Sequence, residues 1–99
     1  MVYGLESMSE EQKIMERART RFLAELEQHL EELSTDDVDY ATELRRFHTI
    51  KGGAGFFGFP ELEELASQIV QSCEVHSEAT IQLLKDFREL AQAILQGNS

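Results

Sequence analysis

This sequence predicts an all-α fold, an antiparallel up-down four-helix bundle, on three observations. Apolar residues recur three or four positions apart in four separate stretches, the period of a helix with one buried face. Short polar breaks separate the stretches, and such breaks make consecutive helices antiparallel neighbours. Helix breakers are scarce: there is a single proline, and four of the six glycines fall between positions 52 and 58. No run reads as a strand, and nothing repeats beyond the helical hairpins. Ninety-nine residues with 41% apolar content suffice for one domain with one modest core.

The first helix is expected from about Glu10 to Leu33. Ser9-Glu10-Glu11-Gln12 has the form of a capping box, the serine hydroxyl accepting from a first-turn N–H while Gln12 reaches back. Met15, Ala18, Phe22, Leu26, Leu30 and Leu33 follow at helical spacing. Ser34-Thr35-Asp36 then breaks the pattern and offers caps for the next helix. That second helix is expected from about Asp37 to Phe57, on a stripe of Tyr40, Leu44, Phe47, Ile50, Ala54 and Phe57. Gly58 suits its C-terminal stop and Pro60 the first turn of its successor.

The third helix is expected from about Pro60 to Val75, with Leu62, Leu65, Ala66, Ile69, Val70 and Cys73 inward. His76-Ser77-Glu78 is the last break. The fourth helix, about Glu78 to Gln96, turns Ile81, Leu84, Phe87, Leu90, Ala91 and Ile94 inward, and Gly97-Asn98 ends it. Met1–Met8 reads as a flexible N-terminal tail, which leaves residues 9–99 as the bundle.

Nineteen Asp and Glu against nine Lys and Arg give a net charge of −10. That argues against nucleic acid and against anionic membranes, both of which select basic patches. No apolar run approaches the ~20 residues that span a bilayer, and Met1–Ser9 lacks the basic start and apolar run of a signal peptide. The lone cysteine, Cys73, excludes an internal disulfide and leaves no metal-binding Cys pair. It reads as a small buried apolar residue, and a cytoplasmic location fits. No His/Glu pairs stand at the repeated spacing of a di-metal bundle site, so no metal site is expected.

The segment Phe47-His48-Thr49-Ile50-Lys51-Gly52-Gly53-Ala54-Gly55-Phe56-Phe57-Gly58-Phe59 stands apart. It is helical by its apolar spacing, yet three glycines lie inside the helix, at a cost of about 2–3 kcal/mol against alanine. On a wheel of 100° per residue, His48 falls on the solvent flank, well over 90° from the apolar stripe. Gly52 and Gly55 lie within about 40° of it, and Lys51 falls between His48 and the stripe. The surface therefore presents an imidazole, a cation beside it and a strip without side chains. Neutral imidazole is a usable nucleophile, the ammonium can neutralise an anion placed there, and bare backbone lets a large partner reach the ring.

These residues resemble the histidine-containing phosphotransfer (HPt) domains of two-component phosphorelays. The family pattern H-x-[LI]-K-G-[SAG]-[SAG]-x-x-[FLIV]-G is met at every constrained position from His48 to Gly58. Leu44 and Phe47 before it, and Leu62, Leu65, Ala66 and Ile69 after it, keep the family's apolar rhythm. The resemblance implies a phosphorelay intermediate with His48 as the phosphoacceptor, Lys51 stabilising the phosphoryl group, and Gly52 clearing space for a docked partner. Gly55, Leu44 and Arg45 are read as further clearance and docking positions. The implied partners are a response-regulator receiver domain, a histidine kinase, or both. The implied Mg²⁺ belongs to the receiver's acidic pocket, so no cofactor is expected in this chain, and a monomer is expected.

The glycine-rich version also resembles the phosphorylated first domain of chemotaxis-type kinases. The chain holds no ATP-binding or kinase segment, so no ATP-dependent kinase activity is expected of it. A receiver- or kinase-docking bundle without phosphotransfer is the alternative from a different class. Arg17, Arg19, Arg21, Arg45 and Arg46 are locally basic and can steer an acidic pocket or a phosphoryl group. His29 and His76 read as ordinary surface or helix-end histidines, and Glu43 is expected to reach the rim of the bundle.

Overall fold

The computed structural model describes residues 9–97, which form α1 (Glu10–Glu32), α2 (Tyr40–Phe57), α3 (Pro60–Glu74) and α4 (Ala79–Gly97). The expected tail, Met1–Met8, and the last two residues of the expected bundle lie outside the described residues. Consecutive helices pack side by side and α1 closes on α4, so the four-helix bundle stands. α2 and α3 share the most extensive interface, and among consecutive helices α1 and α2 share the sparsest.

The caps explain the boundaries. Gln12 N–H donates to Ser9 Oγ at 3.1 Å while Ser9 N–H donates to Gln12 Oε1 at 2.9 Å, which completes the expected box. α2 begins at Tyr40 rather than Asp37 because Asp39 is its cap, accepting from Thr42 N–H at 3.3 Å. That backbone hydrogen bond holds the Asp39 carboxyl below the usual carboxylate range. α2 stops at Gly58, whose φ of 81° is the left-handed conformation that glycine alone adopts freely. Pro60 opens α3 two residues on, where its missing N–H costs nothing.

Phe47, Ile50 and Ala54 of α2 are buried together with Leu62, Ala66 and Ile69 of α3, Leu84, Phe87 and Ala91 of α4, and Phe22 and Leu26 of α1. Phe47 meets Phe87 edge to face, with centroids 4.8 Å apart. Each Leu, Ile or Phe in this core contributes roughly 1.5–3 kcal/mol on leaving water. Cys73 is buried among them, and burial pushes its thiol up in pKa.

Two stripe positions differ from expectation. Met15 is 43% exposed and Ile81 is 39% exposed. Thr80 is fully buried in place of Ile81. Its hydroxyl donates to Ser72 Oγ at 2.7 Å, and Ser72 Oγ donates to the Ile69 carbonyl at 2.8 Å. A hydroxyl with its hydrogen bonds made is cheap to bury, so the helix takes the register that stacks Thr80 one turn before Leu84.

Glu43 and Arg46 also depart from their expected places. Glu43 is 5% exposed rather than at the rim. Arg46 Nε donates to its Oε1 at 2.9 Å. The same guanidinium crosses to α1, reaching Glu32 Oε2 at 2.8 Å and His29 Nδ1 at 3.1 Å. Desolvation works against this guanidinium, but the hydrogen bonds to Glu32 and Glu43 outweigh it and raise its pKa. An arginine can only donate, so His29 Nδ1 accepts and the ring is held neutral. Burial, then Arg46, pushes the His29 pKa down, against the pull of Glu32, Glu25 and Glu43. His29 is therefore an interhelical bridge, not an ordinary surface residue. His76 lies in the turn after α3 with φ 50° and its ring stacked on Tyr40 at 4.5 Å.

Candidate functional site

The site is one face of α2. His48 is exposed in the middle of the helix, and directly beneath it Phe47 and Ile50 are almost fully buried. The helix cannot roll without pulling those side chains out of the core, so the imidazole is held outward by its neighbours. Thr49 Oγ1 donates to the Arg45 carbonyl at 3.3 Å and keeps its own hydroxyl on the helix. Lys51 is half-buried, as a stem laid along the bundle requires. Among the described residues, neither His48 nor Lys51 makes a side-chain hydrogen bond or ion pair. Both are available to a partner.

The glycines separate into three roles. A Cβ at Gly52 would meet nothing within 4 Å, so packing does not demand glycine there. A Cβ at Gly53 would fall 2.5 Å from the Phe22 ring, so Gly53 seats α1 against α2. At Gly55 the Glu63 carboxylate of α3 occupies the place of a side chain. Gly55 therefore lies under an acidic group instead of presenting open clearance beside His48.

Leu44, one turn before His48, is half-buried against the core, and Arg45 is exposed. Arg46 is turned away into its bridge to α1, so of the two arginines only Arg45 is on the surface with His48. Among the described residues, no group of three or more His, Cys, Asp and Glu side chains is arranged to hold a metal ion. No helix among them is long and apolar enough to cross a membrane.

Phe56 is the residue that sequence reasoning missed. It is 67% exposed, two turns beyond His48 on α2. Its wheel position, on the side opposite the apolar stripe, carried the signal.

The chain has two features in common with a known group of signalling carriers: a short up-down bundle and a single outward histidine on its second helix. The sequence model of the Hpt domain matches residues 17–97, and the chain belongs to that family. Membership implies a histidine-containing phosphotransfer role in phosphorelays, and domains of this family interact with receiver domains and kinases. No curated protein and no solved structure matches the chain.

Proposed function

We propose that this chain is a phosphorelay intermediate that carries the phosphoryl group on His48. The observation that supports it best is the pairing of an exposed imidazole with unfilled space at Gly52, inside a stretch that belongs to the family. The unprotonated ring nitrogen of His48 attacks the phosphorus of a receiver's aspartyl phosphate. An N–P bond forms as the P–O bond to the aspartyl carboxylate breaks, and the carboxylate leaves with the bonding pair. The other ring nitrogen keeps its proton during attack and can release it afterwards. Onward transfer is the reverse step at a second receiver aspartate, with the imidazole as leaving group.

Lys51 lies one turn from His48 and offsets the phosphoryl charge. Gly52 leaves the approach open, and Leu44 and Arg45 border the docked partner. Gly55 joins that border only where Glu63 is displaced. The acidic pocket and its Mg²⁺ are the receiver's. The reaction takes place in the cytoplasm on a monomeric carrier.

The test is transfer of label from a receiver charged with radiolabelled acetyl phosphate. The wild-type chain takes acid-labile label. His48→Gln takes none while its circular dichroism and melting curve stay those of the wild type. Label persisting on His48→Gln removes the assignment, and tight receiver binding without transfer leaves a docking bundle. Label taken only from a kinase core, never from a receiver, marks the first domain of a chemotaxis-type kinase instead.

A further inference from the structure

We infer that Phe56 and Met15 form the apolar anchor by which the receiver domain seats itself on this chain, an inference that rests on the His48 reading. Isolated exposed apolar side chains are ordinary on a protein surface. These two are not isolated. Phe56, at 67% exposure, and Met15, at 43%, line the same groove of about 520 Å³ between α1 and the end of α2, with Phe57 as its floor and Glu11, Glu16 and Arg19 on its rim.

The groove is firmly backed. The Phe56 ring meets Phe57 edge to face at 4.9 Å, and Phe57 packs on Phe22 at 5.5 Å. Phe56 is also the one aromatic among the exposed large hydrophobic residues described. A rigid aromatic beside a shallow apolar groove is the kind of residue that carries binding energy when a partner covers it.

Its position relative to His48 identifies the occupant. His48, Gly52 and Phe56 are successive members of one i, i+4 row on α2. Phe56 therefore stands about 12 Å along the helix axis from His48. A standard protein interface covers about 800 Å² on each partner, a disc of about 16 Å radius. A receiver that brings its aspartyl phosphate to His48, over the open space at Gly52, covers Phe56 in the same footprint. A second copy of this chain is disfavoured on this face, because each copy carries a net charge of −10.

The receiver domains of the source organism, charged with acetyl phosphate, supply the probe, and the fastest donor to the wild-type chain is used. Phe56→Ser raises the receiver concentration at half-maximal transfer rate by about tenfold, the size of an aromatic anchor. Met15→Ser raises it less, and Phe56→Leu recovers most of the loss. Ile81→Ser, at an apolar position on α4 about as exposed as Met15, leaves it unchanged, and all four variants melt as folded bundles. Phe56→Ser and Met15→Ser saturating at the wild-type concentration overturn the anchor while His48 transfer stands. Label on His48→Gln, or a set of receivers none of which charges or binds the wild-type chain, overturns both readings together.

Discussion

α2 meets α3 over a continuous apolar interface, whereas it meets α1 at separate points. The first pairing runs from Phe59 and Pro60 at one end, through the fully buried Leu62, Ala66 and Ile69, to the Tyr40–His76 stack at the other. The second rests on the Phe22 ring, laid on Gly53 and against Phe57, and on the Arg46 bridge to Glu32 and His29. On its other flank, α1 leaves a groove of about 1110 Å³ against α4, lined by Leu23, Leu30 and Leu95. The difference separates two duties. The α2–α3–α4 core fixes the direction in which His48 points, and α1 is a fastened cover that also supplies one wall of the Phe56 groove.

The strongest way to break that division is Phe47→Ala. It removes a fully buried ring one residue before His48, at a cost of about 3–5 kcal/mol. Loss of most of the denaturant midpoint is expected, with label uptake falling in step with the folded fraction. Arg46→Ala strikes the α1 fastening instead. It leaves Glu43 buried with neither oxygen partnered, since Oε2 already lacks a partner. About 3 kcal/mol is expected, the low end for breaking a buried pair, because Glu32 is half exposed. Transfer through His48 in the molecules still folded stays near wild type, and a selective loss of transfer there would falsify the separation of duties.

Two neighbouring glycines sharpen the comparison at smaller magnitude. Gly53→Ala pushes a methyl into the Phe22 ring. Overpacking of about 1–3 kcal/mol then exceeds the ~1 kcal/mol gained in helix propensity. Gly52→Ala meets nothing, so only the gain of about 1 kcal/mol remains. Thermal melts should move in opposite directions by a few degrees. The more stable Gly52→Ala should nonetheless accept phosphate more slowly, because its methyl stands in the approach to His48. Equal or faster transfer by Gly52→Ala removes the clearance role.

The smallest effect is a dependence on pH. The folded-state pKa of His29 lies below its ordinary 6.5, so the unfolded chain binds that proton more readily. Stability is therefore fully present above about 6.5 and is lost as the pH falls below it. Glu32, held below its ordinary 4.5 chiefly by the hydrogen bond from Arg46, adds a second loss at lower pH. His29→Gln can still accept from Arg46 and should flatten the first decline while leaving the second. Parallel melting curves for the two proteins between pH 7 and 5 would show that the bridge does not titrate in that range.

The four helices, the capping box of α1, the glycine stop of α2 and the outward face of His48 were legible because apolar period and cap chemistry are local signals. The cap of α2, by contrast, fell on Asp39 and not within Ser34–Asp36. Thr80 was not legible, since its burial depends on Ser72 of another helix supplying the acceptor. Nor were Glu43 and Arg46. A wheel places both by their own hydropathy, and the ion pair that lets Glu43 turn inward is completed by α1. Gly55 looked like clearance because its place beside His48 follows from α2 alone. That Glu63 lies over it follows only from how α3 returns. Phe56 was legible from its place opposite the apolar stripe, but the groove it shares with Met15 follows only from how α1 lies beside the end of α2.

Cys73, the sole thiol of the chain, is 2% exposed in the α3 part of the core, and its burial keeps it protonated and inert. It is thereby a built-in clock. A thiol reagent can count only those moments when the core around α3 opens. Set beside amide exchange in α1, thiol labelling separates the openings that reach α3 from those confined to the first helix.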